Sequence, residues 1–132
     1  MIFDGFTYSW DGKVILLVED EPFCCLFFQT ALRNTDSTLL VAHNGQEAVD
    51  MIKKHPEISL VLMDVKLPVM NGLEATTQIK ELRPDLPIIA QTAYALNNER
   101  QKILEAGCDD YISKPIHIEI LLEKIERIFM TN

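Results

Sequence analysis

Short apolar runs alternate along this chain with longer stretches in which apolar residues recur every three or four positions. The runs are Val14–Val18 (VILLV), Thr38–Ala42 (TLLVA), residues 60–63 (LVLM), residues 87–90 (PIIA) and Tyr111-Ile112. Such runs mark strands buried on both faces. Glu21-Pro22 opens a helix with proline in its first turn, continued by apolar Phe23, Leu26, Phe27 and Leu32. Asn44-Gly45 leads into a second helix around Ala48, Val49 and Ile52. A loop over residues 68–72 precedes a third, carrying Leu73, Ala75, Thr76, Ile79 and Leu82. A fourth, over residues 97–106, stops at Gly107. The last places Ile118, Leu121, Leu122, Ile125, Ile128 and Phe129 at helical spacing. Five strands and five helices in strict alternation predict an α/β domain, a parallel sheet covered on both faces.

In such sheets the ligand site lies outside the carboxyl ends of the strands, where the strand order reverses. Glu19, Asp20 and Glu21 follow the first run, Asp64 the third, Thr92 the fourth, and Lys114 with Pro115 the fifth. The second ends at His43 and Asn44, which carry no comparable chemistry. If the order is 2-1-3-4-5, the first and third strands are neighbours and Glu19, Asp20 and Asp64 converge. Two carboxylates ~4 Å apart repel by on the order of 4 kcal/mol at an effective dielectric of about 20. A hard divalent cation with oxygen ligands is the natural compensation, and Mg²⁺ shares its positions readily with phosphate oxygens. Lys114 adds an ammonium opposite the acids and Thr92 a hydroxyl. In-line phosphoryl transfer needs that kind of positioning and charge neutralisation. Singly, each residue is an ordinary polar group at a strand end; together, they indicate a phosphoryl site.

Composition narrows the partners. At 132 residues the chain is one domain, large enough for a core without disulfides or a structural metal. A net charge of -8 argues against direct nucleic-acid binding and against an anionic membrane surface. Cys24, Cys25 and Cys108 have no metal-ligand spacing and read as buried reduced thiols. There is no signal-peptide pattern, and no apolar run is long enough for membrane insertion, so a cytoplasmic location is expected.

Residues 14–21 (VILLVEDE), 60–72 (LVLMDVKLPVMNG), 87–95 (PIIAQTAYA) and 106–115 (AGCDDYISKP) resemble the receiver domains of two-component response regulators. The resemblance spans residues 13–130 and implies a flavodoxin-like, doubly wound sheet of order 2-1-3-4-5 with five helices. It implies that Asp64 is the phosphoacceptor, receiving its phosphoryl group from a histidine kinase or a histidine phosphotransfer domain. It makes Asp20, Asp64 and the backbone carbonyl of Lys66 the Mg²⁺ ligands, with Glu19 acting through a water. Thr92 and Lys114 would bind phosphoryl oxygens, Tyr111 would be the switch residue, and the Lys114–Pro115 bond would be cis. Side chains at Lys66 and Tyr94 would tune the phosphoryl lifetime. A homodimer through the face of the fourth helix, fifth strand and fifth helix is a further expectation. Such a domain is a switch that assists its own phosphotransfer and dephosphorylation, not a turnover enzyme.

Residues 63–72 and 91–95 are similar to receivers attached to hybrid sensor kinases, and residues 10–13 (WDGK) to the linker that precedes them. A stand-alone regulator and a piece of a longer protein both fit. Within the N-terminal segment, residues 1–12, Phe6, Tyr8 and Trp10 alternate at strand spacing, but Asp4, Gly5 and Ser9 interrupt them, so a disordered tail is expected over a packed one. His43, His55 and His117 read as surface histidines, Asp109-Asp110 as solvated, and Met63 and Met70 as packing. A haloacid-dehalogenase-type phosphatase needs a second acid two residues beyond its nucleophile, where Lys66 stands. A pseudo-receiver would lack an acid, the Thr or the Lys, and all are present.

Overall fold

The apolar runs form the interior of one sheet in a computed structural model that describes residues 8–93 and 97–131. The strands are β1 (Val14–Val18), β2 (Thr38–Ala42), β3 (Ile58–Asp64), β4 (Ile88–Thr92) and β5 (Asp110–Ser113). The helices are α1 (Pro22–Leu32), α2 (Gly45–Lys54), α3 (Gly72–Leu82), α4 (Asn97–Ala106) and α5 (Ile118–Thr131). All strand pairs are parallel and the order is β2-β1-β3-β4-β5, as expected from the alternation and the resemblance.

Side chains alternate across each strand and divide the core into two layers. Leu16, Val18, Val61, Met63, Ile88 and Ala90 pack with residues of α2, α3 and α4. Ile15, Leu17, Leu60, Leu62 and Ile89 pack on the other side with Phe28, Leu32, Leu121 and Ile125 of α1 and α5. Three helix starts are fixed by side-chain caps: Glu21 accepts from the Phe23 N–H, Asn44 from Glu47 and Asn71 from Glu74. In α1 the inward residues are Cys25, Phe28 and Leu32, whereas Phe23 and Leu26 are 82% and 54% exposed.

Two expectations need correction. Residues 8–12 are not a loose tail. Trp10 is 3% exposed; its indole N–H donates to Glu126 at 2.9 Å, its backbone N–H donates to Thr35, and its ring meets Tyr8 and Phe129. The indole offers too much apolar area to leave in water when α5 provides a wall. Nor are Asp109 and Asp110 merely solvated. Asp109 accepts from the Ile88 N–H and pairs with Lys80, each at 2.8 Å, and Asp110 pairs with Lys124 at 3.0 Å.

Candidate functional site

The site sits where β1, β3, β4 and β5 end. Val18 lies opposite Met63, so the next residues, Glu19 and Asp64, meet across the β1–β3 pair. Glu19, Asp20 and Asp64 each offer a carboxylate oxygen within 4.8 Å of the others. Glu19 and Asp64 are 1% and 5% exposed, while Asp20 faces solvent. β5 lies two strands from β3, roughly 10 Å at ordinary strand spacing, so only a long side chain can return to the acids. Lys114 does so: its Nζ is 3.4 Å from Asp64 Oδ2 and 3.8 Å from Glu19 Oε1. Thr92, buried at the end of β4, stands between them in strand order, opposite Ser113.

The backbone helps to orient Asp64. The Lys66 N–H donates to Asp64 Oδ1 at 3.2 Å. The loop then folds back, and the Gly72 N–H donates to the Val65 carbonyl at 2.9 Å. A Cβ on Gly72 would collide with the Asp64 carbonyl oxygen, so this close approach requires glycine. The Lys114–Pro115 bond is cis.

Electrostatics follow from this crowding. Burial, then the charge of Asp64, pushes the Glu19 carboxyl from 4.5 up to about 7 despite Lys114. Burial alone would lower Lys114, but Asp64 and Glu19 outweigh it and its ammonium is held above the usual range. Glu19 Oε1 is buried without a hydrogen-bond partner. An all-oxygen donor set containing an orphaned carboxylate oxygen fits a hard divalent cation. Burial and Glu19 raise the half-buried Cys24 thiol, so its neighbourhood does not activate it.

The structure therefore brings Glu19, Asp20, Asp64, Thr92 and Lys114 to one end of the sheet, as their places after the runs implied. Lys66 lines the adjoining cleft with Asp20 and Asn71. Tyr111 is half-buried against the α2–α4 layer, with the Arg100 guanidinium 5.5 Å over its ring. Tyr94 lies outside the described residues. The sequence reading missed two features: the His43 ring, whose Nδ1 lies 3.3 Å from the Glu19 carbonyl oxygen, and fully buried Gln91 beside Asp64 in register.

Residues 15–126 match the response regulator receiver domain family. The sensor histidine kinase GacS of Pseudomonas protegens is 38% identical over 83% of this chain, which spans only 12% of that protein's length. The polar-differentiation response regulator DivK of Brucella anthropi is 36% identical over 86% of this chain and 94% of its own. Among solved structures, the receiver domain of the Pseudomonas aeruginosa sensor histidine kinase PA1611, with magnesium coordinated in its active site cleft, has a TM-score of 0.81 at 35% identity. The match covers 88% of this chain and 96% of that one. The Saccharomyces cerevisiae receiver domain of Ssk1, co-crystallised with the histidine phosphotransfer protein Ypd1, also has a TM-score of 0.81, at 30% identity over 91% and 88%.

Proposed function

The chain belongs to the response regulator receiver domain family of two-component signalling, and on that premise we propose that it takes a phosphoryl group from a phosphohistidine onto Asp64 and relays it as a change of surface. The observation that carries this reading is the buried Asp64 carboxylate, 3.4 Å from Lys114 Nζ and crowded by two further acids. In the transfer a carboxylate oxygen bonds to phosphorus while the P–N bond to the donor imidazole breaks, and the nitrogen keeps the bonding pair. The Lys66 N–H orients the nucleophile, and Lys114 and the Thr92 hydroxyl are the proposed partners of the phosphoryl oxygens. Asp20, Asp64 and the Lys66 carbonyl are the proposed Mg²⁺ ligands, with Glu19 acting through a water. When bound, the ion supplies charge neutralisation between acids and phosphate.

The donor is a histidine kinase or histidine phosphotransfer domain, consistent with the complex known for the yeast neighbour. Phe23, exposed at the start of α1 and lining a cavity with Lys114, offers apolar surface to it. Inward movement of Thr92 toward the phosphoryl group would free space for Tyr111 to turn, altering the α4–β5–α5 face. Leu104 of α4 and Ile120 of α5 are exposed apolar side chains that suit a homodimer. The domain acts as a switch and not as a turnover enzyme. No described helix is long and apolar enough to cross a membrane, and a cytoplasmic site of action follows from the proposed donor.

The test is intact-mass measurement after incubation with acetyl phosphate and Mg²⁺. One phosphoryl group should be added, and Asp64→Asn or a chelator should abolish the gain. An unchanged mass in the folded parent overturns the proposal.

A further inference from the structure

Val69 is held in a backbone conformation that a β-branched residue rarely takes. Its φ is +69°, in the left-handed region, where a branched Cβ crowds the backbone. The Met70 N–H donates to the Pro68 carbonyl at 2.7 Å and closes a γ-turn around Val69, in the strained hand of that turn. Asp36, the other non-glycine residue with positive φ among the described ones, is of a type that tolerates it. The turn is anchored on both sides. Leu67 and Met70 pack against the core, and the Gly45 N–H donates to the Met70 carbonyl at 3.1 Å. Val69 itself is 83% exposed. Strain costs stability, and so does an apolar side chain left in water; a side chain this exposed gains little from the fold to offset either.

The position of the turn narrows what covers it. Residues 65–68 line the cleft with Asp20, so the turn that follows them stands on the rim around the acids. On the α1 side of that rim Phe23, close after Asp20 in the chain, is 82% exposed. A phosphohistidine must bring its imidazole up to the Asp64 carboxylate, so the surface of its domain comes down over this rim. A small phosphodonor need not touch it. We propose that Val69 is a specificity contact for the phosphodonor domain, an apolar side chain presented by the turn to apolar residues that border the donor histidine. This inference rests on the function proposed above. Strain collects where function requires it; here asparagine or glycine would relieve it and lose the contact.

The parent is compared with Val69→Asn and Val69→Ile. Asparagine adopts positive φ readily, so Val69→Asn should raise Tm by about 3–5 °C. Isoleucine, branched like valine, should not. With acetyl phosphate and Mg²⁺ all three should gain one phosphoryl group at similar rates. The protein donor is phosphorylated Ypd1, the yeast histidine phosphotransfer protein. At limiting concentrations its transfer to Val69→Asn should be about tenfold slower than to the parent, the loss of one buried valine contact. Transfer to Val69→Ile should be undiminished. Equal transfer from Ypd1 to the parent and Val69→Asn overturns the proposal, as does an equal loss in Val69→Ile. A Val69→Asn chain less stable than the parent removes the strain and overturns it too. A parent that accepts from acetyl phosphate but not from Ypd1 overturns this proposal alone, whereas one that accepts from neither overturns the function on which it rests.

Discussion

Glu19 gives the metal-free domain an unusual pH dependence. Its carboxyl binds a proton more tightly in the folded chain, with a pKa of about 7, than at its ordinary value of 4.5. The contribution therefore favours folding fully below about pH 4.5 and is lost as pH rises through about 7. At about 1.4 kcal/mol per pH unit, the span from 4.5 to about 7 corresponds to about 3 kcal/mol at most. For a domain of 132 residues that is on the order of 10 °C in Tm. Unfolding should be followed in chelator between pH 5 and 8. Trp10, the single tryptophan and 3% exposed, is a built-in fluorescence reporter. Glu19→Gln should remove most of the decline. Saturating Mg²⁺ should flatten the parent curve, because it favours the ionised carboxylate. A metal-free parent whose stability stays level or rises from pH 5 to 8, relative to Glu19→Gln, refutes the reasoning.

Other consequences can be read directly. Thr92→Ala should still accept a phosphoryl group but lose its transmission to Tyr111, because a charge-assisted hydrogen bond of roughly 1.5–3 kcal/mol supplies the bias between states. Equal phosphorylation-dependent amide shifts around Tyr111 in parent and variant would contradict this. Asp109→Ala leaves the Ile88 N–H and Lys80 without their carboxylate and should cost about 1–3 kcal/mol in urea unfolding. Trp10→Ala should cost about 3–5 kcal/mol while leaving phosphoryl acceptance by mass unchanged, because Trp10 precedes the far end of β1.

The candidate site was readable in the sequence because its chemistry stands immediately after apolar runs, and a parallel sheet aligns the carboxyl ends of its strands. What local pattern could not reveal was contact between residues far apart in the chain. Trp10 is held by Thr35, Glu126 and Phe129, none of which is near it in sequence, so the interrupted alternation around it read as a tail. Asp109 read as solvated for the same reason, its partners Lys80 and Ile88 lying on other elements. β3 is longer than its apolar run because Ser59, polar in sequence, accepts the Val14 N–H where the β1–β3 register shifts. In α1, Phe23 and Leu26 continue the apolar pattern yet point to solvent, since apolar residues extend all round that helix and composition cannot select the inward face.

The buried polar atoms without hydrogen bonds follow one physical logic. Among the described residues, the buried side-chain atoms without hydrogen-bond partners belong to Glu19, Gln91 and Arg83. The first two flank Asp64, Glu19 across from it at the end of β1 and Gln91 paired with it on β4. A sequence selected for stability alone would replace both with apolar residues of similar volume, as β1 and β4 have done at their other central positions. Their retention at the same end of the sheet places the strain around the residue whose charge is proposed to change. An ion, a phosphoryl group or a ligand that satisfies these groups then stabilises the folded chain by its binding free energy. Buried oxygens left without a hydrogen bond in the resting domain, such as Glu19 Oε1, make its stability responsive to what binds beside Asp64.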